Sequence, residues 1–121
     1  MYRYLIALLV CWSAQSHEFT PTYPLLYQSH VPGVLVVDMK LFNKRQDVEY
    51  YELSVLSKNL QPIAFAASTK ILRIPYLKKK SFSVYIRHQD KNEALYVCSK
   101  SKFTSVKGSA VSSKICSKIR K

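Results

Sequence analysis

From residue 34 to residue 99 apolar and polar residues alternate in short runs, separated by polar or proline-bearing breaks. In VLVVDMKLFN, Leu35, Val37, Met39 and Leu41 fall on one face, while Asp38 and Lys40 fall on the other. Residues two apart share a face only in extended chain, so this period predicts a β-strand. VEYYELSVLS repeats the pattern, with Tyr51, Leu53 and Val55 on one side and Glu52 and Ser54 opposite. IAFAA and KILRI predict two short strands, the second closed by Pro75. After the link YLKKK, SFSVYIR turns Phe82, Val84 and Ile86 inward and Ser81, Ser83 and Arg87 outward. ALYVCS sets Leu95 and Val97 on one side, and NKRQD, KNLQP and HQDKNE supply polar turns. About six strands in roughly 65 residues, with no long run at a 3.6-residue apolar period, predict an all-β sandwich.

The two ends read differently. Residues 1–16, MYRYLIALLVCWSAQS, have a positive start at Arg3 and an apolar run too short to span a bilayer. Ala14 and Ser16 then stand where a signal peptidase takes small residues, which predicts a signal peptide cleaved before His17. The competing reading is a buried N-terminal strand or helix. Cys11 is preceded by Val10 rather than a small residue, which argues against lipidation. Residues 17–33 hold three prolines and a glycine and should be extended. No apolar run beyond the leader approaches spanning length, so the mature chain is expected to lack a transmembrane segment and to be secreted or periplasmic. The Ser- and Lys-rich tail has Phe103, Val106, Val111, Ile115 and Ile119 to bury. It predicts a last strand or hairpin turning at Gly108, which completes one domain over residues 34–117, with a frayed basic end at 118–121.

Removing the leader leaves Cys98 and Cys116. An even count in an exported chain reads as one disulfide, against the alternatives of a metal pair or two free thiols. Such a loop is worth roughly 3 kcal/mol, which matters in a domain this small. The charge is lopsided. From Lys70 onward fourteen lysines or arginines face only Asp90 and Glu93, and this half carries the whole formal charge of +12. An acidic partner, an anionic membrane or polymer, or a set of solubilised strand faces would each account for it.

Candidate chemistry is sparse. There is no G-x-S-x-G nucleophile motif and no phosphate-binding glycine loop, so no enzyme is expected, and no cofactor or metal. His17, His30 and His88 fall at flexible or turn positions without matching carboxylates. Tyrosines interleaved with cations can stack nucleic-acid bases, but strands favour Tyr anyway and the exported compartment argues against nucleic acid. Tyr85, Arg87 and Tyr96 would form one patch if their strands paired, a composition enriched at protein interfaces. The expected partner surface is Lys78, Lys79, Lys80, Tyr85, Arg87, Tyr96, Lys100 and Lys102.

Several pieces, in order, carry a family resemblance. They are a strand ending at Asn43, the Y…L.V strand over residues 51–55, QPI over residues 61–63, ILRIP before a basic link and SFSVYIR, and the charged turn opening DKNEALYVCSKS. Over residues 34–102 the chain resembles the N-terminal immunoglobulin-like domain of periplasmic pilus-assembly chaperones. The resemblance implies an immunoglobulin-like β-sandwich of about seven strands and a role in a bacterial pilus or secretion/conjugation apparatus. The paired basic residues by which that family holds a carboxylate have no assigned positions here. The expected function is an exported, non-catalytic protein-binding domain whose edge strand takes a strand from an acidic protein partner. The alternatives are a secreted virulence or viral accessory protein acting on a host partner, and a binder of anionic polymer or membrane surface. Asn43, Asn59 and Asn92 lie outside any glycosylation sequon, which lends the host route no support.

Overall fold

A computed structural model describes residues 17–102 and 112–121. The strands are β1 (Glu18–Thr20), β2 (Tyr27–Gln28), β3 (Val34–Phe42), β4 (Tyr50–Leu56), β5 (Ile71–Arg73), β6 (Lys79–Arg87), β7 (Tyr96–Lys102) and β8 (Lys114–Lys118). They form two antiparallel sheets with the pairing of an immunoglobulin-like sandwich. In the first, β3 pairs with β6 along its whole length and with β1 and β2 in turn on its other side. The second runs β5-β4-β7-β8. A 3-10 turn, His88–Asp90, begins the crossing from β6 in one sheet to β7 in the other.

The alternation read from the sequence becomes the core. Leu35, Val37, Met39 and Leu41 of β3 and Phe82, Val84 and Ile86 of β6 meet Tyr51, Leu53 and Val55 of β4 and Val97 of β7. Each fully buried Val or Leu contributes about 1.5–3 kcal/mol by leaving water, which fixes the register of both sheets. The leader and the turn expected at Gly108 lie outside the described residues.

Two segments depart from expectation. IAFAA is not a strand of its own: Ile63 N–H donates to the Val55 carbonyl of the second sheet at 2.8 Å, whereas Ala66 pairs with Tyr85 of the first. The run crosses between sheets, and a short apolar stretch has no period to reveal that. Nor does the tail fray after Ser117. β8 continues to Lys118, Ile119 is buried, and the Arg120 N–H donates to the Pro24 carbonyl at 2.7 Å. Ile119 supplies the burial that holds this last turn of chain down.

Both sides of the sandwich are therefore closed by segments that change sheets. On one side β1 pairs with β3; residues 22–26 then lie along the end of β8, with Lys118 N–H donating to the Thr22 carbonyl at 3.0 Å and Leu26 N–H to the Arg120 carbonyl at 2.9 Å; β2 then returns to β3. On the other side the chain touches β4 at Ile63, β6 at Ala66, and β4 again through β5. A segment hydrogen-bonded to one sheet leaves the facing edge of the other without a hydrogen-bonded partner, although β1 still lies beside β8. Open edges follow from the topology.

Candidate functional site

Two such open edges fall at one end of the sandwich, where β3 runs into β4 and β7 leads towards β8. On β8 the paired residues are Ile115 and Ser117, opposite Ser99 and Val97, because Ser101 N–H donates to the Ser113 carbonyl and Ile119 N–H to the Leu95 carbonyl. In an antiparallel ladder the intervening residues turn their N–H and C=O groups away. Lys114 and Cys116 thus point theirs towards the side that β1 has left for the first sheet. On β6 the Asn43 N–H donates to the Lys78 carbonyl and Tyr85 exchanges two bonds with Ala66 at 2.8 and 2.9 Å. By the same alternation Lys79, Ser81 and Ser83 point their main-chain groups outward, and among the described residues no backbone group pairs with them.

The disulfide Cys98–Cys116 staples β8 to β7 beside its open edge. Its Cα atoms lie 4.1 Å apart, at directly opposed positions of the two strands. That close spacing belongs to the non-hydrogen-bonded pairs of an antiparallel ladder, so the topology itself brings the two sulfurs together.

Charge collects at the same end. Four carboxylates there are already ion-paired: Glu18 with Lys44, Asp47 with Arg45, Glu49 with Arg73, and Glu52 with Lys102. The Arg45 guanidinium holds the Asp47 carboxyl below its usual range. Lys78, Lys80, Lys100 and Lys114 have no carboxylate partner among the described residues, and Lys79 lies over the Phe42 ring at 5.3 Å. The outer face of the second sheet carries Lys100 and Lys102 of β7 with Lys114 and Lys118 of β8, and Lys100 stands directly opposite Lys114. Lys114 and Lys118 were not among the surface residues expected from the sequence.

The expected partner surface does not form one patch. β6 and β7 belong to different sheets, so Tyr85 and Arg87 lie on one outer face and Tyr96 on the other. Tyr85 sits across Val36 from Tyr27, and Arg87 is bound to Asp90 at 2.9 Å. Lys78 precedes β6 and Lys79 and Lys80 open it at the cationic end, while Lys100 and Lys102 lie on the second sheet. The surface divides into three.

Beneath this end lies a buried polar network. Asn43 donates to the carbonyls of Val48 and Ile74 at 2.6 and 2.8 Å and accepts from the Arg45 N–H and the Tyr51 hydroxyl. It thereby ties the β3–β4 loop to the chain that enters β6, and burial raises the Tyr51 hydroxyl to about 12. His17 is not flexible, contrary to expectation. It is buried against the Tyr51 ring at 4.5 Å, and its Nε2 is 2.7 Å from the Ser99 hydroxyl. The pairing of serine and histidine invites comparison with a catalytic dyad, but both residues are buried. Burial drives the His17 imidazole down to about 4, so it sits neutral. Among the described residues no three His, Cys, Asp or Glu side chains converge as metal ligands.

No protein-family profile matches the chain, and no curated protein matches its sequence. Among solved structures the fold is similar to the crystal structure of the periplasmic chaperone SfaE, with a TM-score of 0.56 and 14% sequence identity. The likeness covers 87% of this chain and 56% of that one, so the chain spans little more than half of that chaperone's length. At this identity the likeness is one of fold. It agrees with the β-sandwich predicted from the strand pattern and with the immunoglobulin-like form that the family resemblance implies, and the disulfide suits the oxidising surroundings of an exported protein.

Proposed function

We propose that the protein is an exported, chaperone-like binding domain that captures a strand of a partner protein along the open edge of β8. The supporting observation is that, among the described residues, no backbone group pairs with the outward main chain of Lys114 and Cys116, beside the Cys98–Cys116 bond that ties β8 to β7. An added strand gains affinity from backbone hydrogen bonds, and the side chains beside it set the choice of partner. Lys100, Lys114 and Lys118 on the adjoining face favour an acidic partner and discourage pairing between two copies of the edge. The fold shared with a periplasmic chaperone, the predicted leader and the disulfide support a bacterial periplasm and a pilus or secretion apparatus as the setting. A second reading rests on the same lysines, which offer a flat cationic face to an anionic polymer.

The test is capture of a partner from the periplasm of the native host by the tagged protein and by Lys114→Pro. Proline removes the outward N–H of Lys114 and is tolerated where an edge N–H faces solvent. The variant is expected to keep its melting temperature within a few degrees and to lose the partner that the parent chain retains. Equal recovery on both proteins would refute capture at β8.

A further inference from the structure

We propose that the open edge of β6 is a second strand-accepting site, which takes an extended, acidic segment of a partner protein alongside residues 79–83. The chain's own strand stops short of this edge. Ala66 pairs with Tyr85, but Lys70 has already turned to the other sheet, where its carbonyl accepts from the Leu53 N–H at 2.8 Å. A segment continuing in the direction of Ala66 would meet the outward N–H and C=O groups of Ser83, Ser81 and Lys79 in succession, antiparallel to β6.

The surroundings specify its chemistry. Lys78, Lys79 and Lys80 stand together at the start of β6 with no carboxylate among the described residues to neutralise them. Three adjacent cations at the mouth of an unpaired edge repel one another, and carboxylates on an incoming strand relieve that repulsion. At the other end Ser83 donates to Asp38 at 2.7 Å, which places a carboxylate one strand away. The acidic residues of the segment therefore belong at the lysine end. Tyr76 and Leu77, immediately before the lysines, are 40% and 56% exposed, and Leu77 holds the left-handed φ of 60°. That conformation is strained for a bulky residue, and such outliers gather at binding sites. The Asn43 network fixes this turn, since Asn43 both donates to the Ile74 carbonyl and accepts the Leu77 N–H through its own backbone at 2.8 Å. The two side chains give an incoming segment an apolar contact next to its carboxylates. A second copy of this chain suits the edge less well, because it would bring another lysine triplet to it.

The site on β6 does not depend on the one on β8, and amide hydrogen exchange separates them. With a synthetic peptide alternating glutamate and valine as the probe, the Ser81 and Ser83 amides are expected to slow on the order of tenfold or more at low salt. A variant carrying Lys78→Glu, Lys79→Glu and Lys80→Glu is expected to bind the peptide on the order of tenfold more weakly. A matching lysine–valine peptide should leave both amides unprotected. Unchanged exchange at Ser81 and Ser83, or peptide binding indifferent to the three reversals, would overturn the proposal. So would protection confined to Lys114 and Cys116, or protection that follows dimer formation in light scattering.

Discussion

His17 shows how one side chain can couple both ends of the described chain to the core. It lies just before β1, yet its ring contacts Tyr51 of β4 and Ser99 of β7, and its Nδ1 lies 3.5 Å from the Ser113 hydroxyl before β8. Burial dominates, and the Arg45 charge also disfavours the protonated form. The folded imidazole takes a proton only at about pH 4, whereas the unfolded one does so near 6.5. A depressed folded value means that the stabilisation is complete above pH 6.5 and is lost as pH falls towards 4. The whole effect is about 3 kcal/mol. Urea unfolding at pH 7 and pH 4.5 should show that loss in the parent chain and little of it in His17→Gln. Asp47, held low by Arg45, changes stability with the same sign but in more acid solution, and it remains in both proteins. An identical pH dependence in the variant would show that His17 is not the group responsible.

Among the elements, the long strands were legible because each buries one face, and their registers follow from that. The edges were not. The residues that decide where a chain leaves one sheet for the other sit in short runs such as IAFAA, and their neighbours are remote in sequence. For the same reason the patch of Tyr85, Arg87 and Tyr96 dissolved once β6 and β7 fell in different sheets, while Lys114 and Lys118 went unnoticed. The cysteine pairing was legible from count and compartment, but its position at directly opposed residues was not. That position makes the bridge matter to β8 above all other strands, since β8 has a full partner on one side only. Replacing both cysteines by alanine closes no covalent loop in the unfolded chain, and a span of 18 residues corresponds to about 3 kcal/mol. Denaturant titration should show that loss, and amide exchange should quicken at Ile115 and Ser117 more than at Leu53 and Val55 of β4. Uniform quickening would mean that the bridge acts on global stability alone.

Across the whole molecule, the excess positive charge is distributed unevenly, and position separates a binding surface from mere solubility. Cations on one sheet face stand about 5 Å apart across strands and about 7 Å apart along them. Both spacings lie within the roughly 8 Å over which physiological salt screens, so neighbouring lysines act on a polyanion together. Lys100 and Lys114, directly opposed on β7 and β8, form such a pair. Lys58, in the turn after β4, and Lys121, bonded to the Asn92 carbonyl, lie at the opposite end. Two charge-reversed variants with the same net charge can therefore be compared on immobilised heparin. Lys100→Glu with Lys114→Glu is expected to elute at clearly lower salt than Lys58→Glu with Lys121→Glu, because each bound phosphate- or sulfate-like group lost from the contact lowers the salt slope. Equal shifts would mean that retention follows net charge, and the sheet face would then be only a soluble surface. A large shift for the first pair with partner capture unaffected would assign the face to an anionic polymer, and would leave strand addition at β8 to choose its partner by main chain and shape.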